Sequence, residues 1–279
     1  MTDRYAVFGN PVGHSLSPRI HALFAAQTGQ DLRYEAILAP RDAFASAVAA
    51  FRAAGPDPAR GANVTVPFKE EAFRLATRHT ARAEAAGAVN TLCFRDDGTI
   101  LGDNTDGAGL VRDIEHNLGV RLAGQRLLVL GAGGAARGAM LPLLLAGPER
   151  LVVANRTVDK AERLAAAFAR LPGCALTTKP AAAGFDALGG EGFDVVINAT
   201  SAGLEGAALP LPDSAFAGRA LAYDMVYGRD TAFMAQARAA GCRVSDGLGM
   251  LVEQAGEAFF VWRGMRPDTA AVLAALATA

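Results

Sequence analysis

Short apolar runs alternate with amphipathic stretches along the chain, and each change of period marks an element. Tyr5–Phe8 reads as a strand stopped by Gly9-Asn10-Pro11. Pro18–Thr28 predicts a helix, with Ile20, Leu23 and Phe24 on one face. Tyr34–Leu38 predicts a second strand, and Arg41–Ala53, carrying Phe44, Val48 and Phe51, a second helix. Asn63–Val66 is a third strand ended by Pro67. Thr91–Phe94 and Thr99–Gly102 flank the turn-forming Asp96-Asp97-Gly98, the pattern of a hairpin.

The second half is more regular. Arg126–Leu130 is continuously apolar after its first residue, which suits a sheet buried on both faces. Strands at Leu151–Ala154, Asp194–Asn198, Ala220–Met225 and Cys242–Ser245 alternate with helices at Val158–Leu171 and Thr231–Ala240. That alternation predicts an α/β fold with a parallel, doubly wound sheet. Ala181–Ala183 reads as helix or loop filler, and Met250–Ala279 as helix interrupted at Gly264 and Pro267.

Of 279 residues, 51% are hydrophobic and 20% charged, enough for a substantial core in one large or two modest domains. A formal net charge of −1 gives no electrostatic reason to expect nucleic acid or an anionic membrane as partner. The run Ala139–Ala146 contains Pro142 and is far shorter than the roughly 20 residues of a membrane helix. Tyr5–Phe8 follows Met1–Arg4 at once, where a leader would need an apolar stretch, so the cytoplasm is the default expectation. Cys93, Cys174 and Cys242 form no CxxC pair and are expected as reduced, mostly buried thiols. The histidines (His14, His21, His79, His116) show no ligand spacing with them, so no metal site is expected. The sequence leaves a homodimer open.

Leu127–Leu130 runs into Gly131-Ala-Gly-Gly-Ala-Ala-Arg137. Gly131 permits a tight turn, Gly133 lets backbone approach a pyrophosphate, and Ala136 stands where helix and strand must pack closely. The helix start adds N–H groups and partial positive charge. A glycine turn can be no more than a turn, but the flanking strand and helix favour a dinucleotide. At the end of the next strand, NAD sites place a carboxylate; this chain has Asn155-Arg156-Thr157. Arg156 can pair with a 2′-phosphate, which favours NADP, though it also reads as a solvated surface arginine. Thr157 equally suits a helix N-cap.

A second group of residues suits a small polar acid. Ser15 and Ser17 precede Pro18 at a helix start, where two hydroxyls could receive a carboxylate; capping alone would explain Ser17 but not Ser15. Thr65 and Lys69 follow a strand end, where open α/β sheets bind ligands and a partly desolvated lysine can transfer protons. Lys69 also reads as a solvated lysine at a helix start. Asp106 suits either a helix cap or a carboxylate that orients an ammonium group. Asn90 could bind a hydroxyl or support that aspartate.

These segments together resemble the shikimate dehydrogenase family over nearly the whole chain. They are Gly9–Pro18, Asn63–Lys69, Ala86–Thr91, Gly102–Gly107, Gly131–Arg137, Asn155–Thr157, Asn198–Gly203 and Asp246–Ala255. The resemblance implies a substrate domain at 1–104, completed by returning helices at 247–279, and a Rossmann-type NADP domain at 105–246. It implies Ser15 and Ser17 on the substrate carboxylate, and Thr65, Asn90, Gln254 and Tyr227 on the rest of the substrate. Lys69 and Asp106 would be the catalytic pair. Gly131, Gly133, Gly134, Ala135 and Arg137 would line the pyrophosphate, with Asn155, Arg156 and Thr157 at the 2′-phosphoribose. Thr200, Met225, Gly247 and Met250 would lie near the nicotinamide. One departure stands at Gly228-Arg229-Asp230, where many members carry a proline turn; it implies a more mobile loop after Tyr227.

The implied reaction is reversible, NADPH-dependent reduction of 3-dehydroshikimate to shikimate. The nearest alternative is a quinate/shikimate dehydrogenase using NAD as well as NADP. A more distant one is a non-catalytic NADP-binding sensor, which needs the glycine turn and Arg156 but not the other groups intact.

Overall fold

The computed structural model describes residues 1–171, 176–190, 192–200 and 208–277. The chain divides into two units, Met1–Gly109 with Val252–Ala279, and Leu110–Leu251. Along the first part run β1 (Asp3–Gly9), α1 (Ser17–Thr28), β2 (Leu32–Leu38), α2 (Phe44–Ala53), β3 (Ala59–Val64), α3 (Lys69–Leu75) and β4 (Arg78–His79). Then come α4 (Ala81–Ala86), β5 (Thr91–Phe94), β6 (Ile100–Asp103) and α5 (Asp106–Arg112). The second part holds β7 (Arg126–Leu130), α6 (Gly134–Leu145), β8 (Arg150–Ala154), α7 (Val158–Ala169), β9 (Ala181–Ala183) and β10 (Phe193–Asn198). It continues with β11 (Phe216–Asp224), α8 (Ala232–Ala239), β12 (Arg243–Ser245), α9 (Leu248–Arg263) and α10 (Thr269–Ala277).

The first unit is built on a mixed sheet of order β2-β1-β3-β5-β6-β4. β1 lies parallel to both β2 and β3, and β5 runs antiparallel to β3 and β6. The expected hairpin is therefore β5–β6. On one face, Phe8 meets Phe44 edge-on with centroids 6.0 Å apart, and Phe44 stacks on Phe68 at 5.0 Å. The helical face of α1 buries Ile20 and Phe24, with Phe259 of α9 packed against Phe24. Trp262 Nε1 donates to the Leu92 carbonyl at 2.9 Å, tying α9 to β5. The C-terminal helices thus complete the first unit.

The second unit is a parallel sheet of order β12-β11-β10-β7-β8-β9. Strand order reverses between β7 and β10, and ligands of such sheets bind outside the carboxyl ends at that point. Leu128, Leu130, Val196, Ala222 and Phe233 are among its buried apolar side chains, as the uninterrupted hydrophobic strands anticipated.

Several expectations change in detail. Helix α2 starts at Phe44, after a turn closed by the Ala43 N–H on the Pro40 carbonyl at 3.2 Å. β3 ends at Val64, because Thr65–Phe68 turns back with the Phe68 N–H on the Thr65 carbonyl at 3.0 Å. Ala181–Ala183 is not filler: it is edge strand β9, paired with Val152–Ala154. Alanine has little strand preference of its own, so pairing with β8 decides. Cys93 and Cys242 are half-buried instead of buried, and Cys174 lies outside the described residues. No helix among the described residues is long and apolar enough to cross a membrane.

Candidate active site

The turn after β3 delivers Lys69 as the first residue of α3, and the Lys69 carbonyl accepts the Val89 N–H at 2.9 Å. Its Nζ donates to Asp106 Oδ2 at 2.5 Å. The other oxygen, Oδ1, accepts from Asn90 Nδ2 at 2.7 Å. Asn90 Oδ1 accepts the Thr105 backbone N–H at 2.8 Å. A carboxylate only accepts and a backbone N–H only donates, so one orientation of the Asn90 amide satisfies both. Gln254 Oε1 lies 3.3 Å from Asn90 Nδ2 and 3.5 Å from Thr105 Oγ1. Helix α9 comes this close because α5 carries Gly109, where a Cβ would fall 2.5 Å from the Gln254 backbone nitrogen. Lys69, Asn90, Asp106 and Gln254 therefore converge.

This pair is sheltered but reachable: the Lys69 side chain is 31% exposed and that of Asp106 13%. The segment leading to Asp106 is anchored by buried Asp103. That residue receives two bonds of 2.6 Å from the Arg82 guanidinium and one of 2.5 Å from Thr80. Burial alone would raise the Asp103 pKa, but the Arg82 fork and Thr80 outweigh it and hold the carboxyl below its usual range.

At the start of α1 the N-cap position expected for Ser17 falls on Leu16, without a side-chain cap bond. Ser17 is the first helical residue, and Ser15 Oγ accepts its N–H at 3.2 Å. The Ser17 side chain is buried. Thr65 is half-buried; its methyl sits where a side chain on Gly9 would begin, 2.5 Å from that Cβ position. The Asn10 N–H donates to the Val66 carbonyl at 3.0 Å, so the loops carrying Ser15 and Thr65 are joined.

In the second unit Gly131 closes β7 at φ +102°, with its N–H on the Ala154 carbonyl at 2.7 Å. Nothing lies within 4 Å of where side chains on Gly133 or Gly134 would start, while Ala136 is fully buried. Open backbone at the start of α6 is what a pyrophosphate needs; Ala135 is exposed there and Arg137 half-buried in the first turn. After β8, Asn155 Nδ2 donates to the Thr157 carbonyl at 2.9 Å. Thr157 holds the N-cap position without a side-chain cap bond. Arg156 is exposed, and residues 155–157 include no carboxylate. These groups fit a dinucleotide bearing a 2′-phosphate.

Thr200, Met225, Gly247 and Met250 gather near the ends of β10 and β11. Asn198 Oδ1 accepts both the N–H and hydroxyl of Thr200, at 3.1 and 2.7 Å. The Met225 N–H donates to the Asn198 carbonyl at 3.0 Å. Gly247 presses on Met225, and the Met250 N–H donates to the Tyr223 hydroxyl at 3.2 Å, which donates to Asp113 Oδ2 at 2.6 Å. Tyr227 is half-buried, and burial raises its phenol pKa. After Tyr227 the Gly228 N–H donates to Asp246 Oδ2 at 3.2 Å, with φ +74° suited to glycine. Ser201–Gly203 of the Asn198–Gly203 motif lie outside the described residues.

Residues 7–92 match the family model described as the shikimate dehydrogenase substrate binding domain. Residues 113–204 match that of shikimate / quinate 5-dehydrogenase, and 247–277 that of the shikimate 5′-dehydrogenase C-terminal domain. A shikimate dehydrogenase (NADP(+)) of Dechloromonas aromatica is 60% identical over 279 residues, 99% of this chain and 98% of that protein. The chain belongs to the shikimate dehydrogenase family. A second relative with the same name, from Aromatoleum aromaticum, is 62% identical over 98% of this chain and 96% of its own. Among solved structures, shikimate 5-dehydrogenase from Thermus thermophilus in complex with NADP(H) and shikimate superposes with a TM-score of 0.83. It is 36% identical, covering 100% of this chain and 99% of that one. The family expected from sequence, and its α/β fold with substrate and Rossmann-type NADP domains, are thereby established.

Sequence reasoning gave no role to several groups that hold the shikimate dehydrogenase site together. Asn63, Thr91 and Thr105 bond around Asn90, while Asn198 and Asp224 close β10 and β11 beneath Thr200 and Met225. A signal existed: Asn198 and Asp224 each follow a buried run, Val195–Ile197 and Ala220–Tyr223, where a buried polar group must find a partner.

Proposed function

We propose that this chain catalyses the reversible, NADPH-dependent reduction of 3-dehydroshikimate to shikimate. The observation that carries the reading is the Lys69–Asp106 ion pair at 2.5 Å, with Asn90 on the second carboxylate oxygen. Such a pair presents an oriented ammonium group to a carbonyl oxygen that becomes negative as hydride arrives. When bound, NADPH supplies the hydride. Lys69 would stabilise the developing alkoxide and pass it a proton regained from solvent, so that ketone, hydride and one proton together make the alcohol. In reverse, Lys69 takes the proton from the ring hydroxyl. Asp106 keeps the ammonium group aimed.

Ser15 and Ser17 bind the substrate carboxylate, Thr65, Asn90 and Gln254 hold ring hydroxyls, and Tyr227 offers a neutral phenol. Gly131, Gly133, Gly134, Ala135 and Arg137 take the pyrophosphate, Asn155, Arg156 and Thr157 the phosphorylated ribose, and Thr200, Met225, Gly247 and Met250 the nicotinamide. Substrate residues other than Tyr227 belong to the first unit and cofactor residues to the second, so turnover needs both. Cys93 and Cys242 stand as separate thiols, in keeping with the cytoplasm.

The test is steady-state oxidation with shikimate or quinate, each with NADP or NAD. Shikimate with NADP should give the highest kcat/KM. Binding of NADPH without turnover of either acid would leave a sensor and end this reading.

A further inference from the structure

Behind the catalytic pair runs a line of buried polar side chains whose hydrogen-bond directions can be worked out one by one. Asn63 Nδ2 faces the Asn90 backbone carbonyl at 3.2 Å, which only accepts, so the amide nitrogen must lie on that side. Asn63 Oδ1 is then an acceptor, and the Tyr34 hydroxyl, 2.8 Å away, must donate to it. Asn63 Nδ2 also donates to Thr91 Oγ1 at 3.1 Å. Asn90 Oδ1 only accepts, so the Thr91 hydroxyl donates to it at 2.9 Å. Asn90 Nδ2 finally donates to Asp106 Oδ1 at 2.7 Å, opposite Lys69. Every link points the same way, from Tyr34 to the carboxylate.

We infer that Tyr34, Asn63 and Thr91 form a one-way hydrogen-bonded chain that positions Asn90 on Asp106, and so sets the aim of Lys69. Bonds in series polarise one another, and an aligned chain ending on an anion is strengthened at its last link. Thr91 is the critical joint: it is fully buried and joins the two amides through one oxygen that accepts on one side and donates on the other. Its surroundings give it no second task that needs a hydroxyl, beyond the 3.3 Å approach of Thr105 Oγ1. At the other end, burial holds the Tyr34 phenol well above its ordinary pKa, so it stays a neutral donor at working pH.

The inference rests on the reaction proposed above, and its test keeps the two apart. Thr91→Val preserves shape and removes the hydroxyl; Thr91→Ser preserves the hydroxyl and removes a methyl. We expect Thr91→Val to lower kcat about 3- to 10-fold, the worth of one net hydrogen bond. NADPH affinity should stay unchanged, and Thr91→Ser should remain within about twofold of the parent in kcat. Parental kcat in Thr91→Val, or equal impairment in Thr91→Ser, overturns the inference. If Thr91→Val does not fold, Tyr34→Phe breaks the chain at its head while keeping the ring, and is read by the same criteria. An inactive parent is a failure of the reaction alone. The chain is then read by NMR: slow exchange of the Asn90 side-chain N–H groups in the parent and fast exchange in Thr91→Val supports it, and equal exchange overturns it.

Discussion

Tyr34 lies flat against His21, with ring centroids 4.2 Å apart and planes 8° from parallel. His21 is fully buried, and burial lowers its pKa to about 3. An unfolded histidine takes up a proton below about pH 6.5, whereas this one stays neutral until far lower. The contribution to stability is therefore complete above pH 6.5 and lost progressively as pH falls toward 3. The slope approaches about 1.4 kcal/mol per pH unit, so roughly 2 kcal/mol should disappear between pH 7 and pH 5. His21→Phe keeps a flat ring against Tyr34 and removes the titration. Urea midpoints at the two pH values should show a smaller acid loss in the variant; equal losses would contradict the buried neutral imidazole.

Asp106 accepts from two donors, Lys69 Nζ and Asn90 Nδ2, one on each oxygen. Asp106→Asn offers one acceptor and one NH₂ group in that place, so one contact becomes donor against donor. We expect kcat to fall by about 10²-fold or more in Asp106→Asn and by about 10²–10⁴-fold in Lys69→Ala. NADPH affinity, followed by fluorescence titration, should be unmoved in both. Turnover of Lys69→Ala within a few-fold of the parent would remove the lysine from the chemistry.

A methyl group on Gly247 would lie 2.3 Å from the Met225 carbonyl oxygen and 2.7 Å from its carbon. Both atoms are main chain, and the Met225 N–H is tied to Asn198, so the strain cannot be relieved by a side-chain rotation. Gly247→Ala should cost about 1–3 kcal/mol of stability, the usual toll of overpacking, and weaken NADPH binding through Met225. A folded Gly247→Ala protein with parental NADPH affinity would take this contact out of the cofactor site.

The sequence disclosed most of what is periodic and most of what is chemically unusual. Strands β7, β8, β10 and β11 were legible because a sheet covered on both faces needs long apolar runs. Lys69, Asp106 and Arg156 stood out as charged groups beside strand ends, but each kept an ordinary structural reading there, and their roles were implied by the family resemblance. Elements such as α3, β4 and α4 are too short to show a period, and β9 is three alanines whose strand state comes wholly from its neighbour. Thr91 and Asn63 were invisible in role for another reason. Each lies within a strand, and only the register of β3 against β5, pairing Asn63 with Thr91, turns two ordinary polar residues into consecutive links. That the N-cap position falls on Leu16 and not on Ser17 likewise depends on which residue first adopts helical geometry, a matter of one position that composition does not decide.

Arg156 stands exposed between Asn155 and Thr157, just past the end of β8, and gives the clearest test of cofactor choice. A guanidinium on a 2′-phosphate makes a charge-assisted contact that NADH cannot make, since its ribose carries only a hydroxyl there. Hydrogen bonds to charged groups are worth about 1.5–3 kcal/mol, so Arg156→Ala should raise the KM for NADPH by roughly 10- to 100-fold. The KM for NADH should scarcely move, and kcat at saturating NADPH should hold, because the proposed place of the arginine is the cofactor's far ribose and not the reacting carbon. Arg156→Asp goes further: it adds the carboxylate that NAD sites use on the ribose hydroxyls and repels the phosphate. Its ratio of kcat/KM for NADPH over NADH should fall below that of Arg156→Ala. An unchanged NADPH KM in both variants would place recognition of the phosphate elsewhere, and Arg156 would then be a solvated surface arginine.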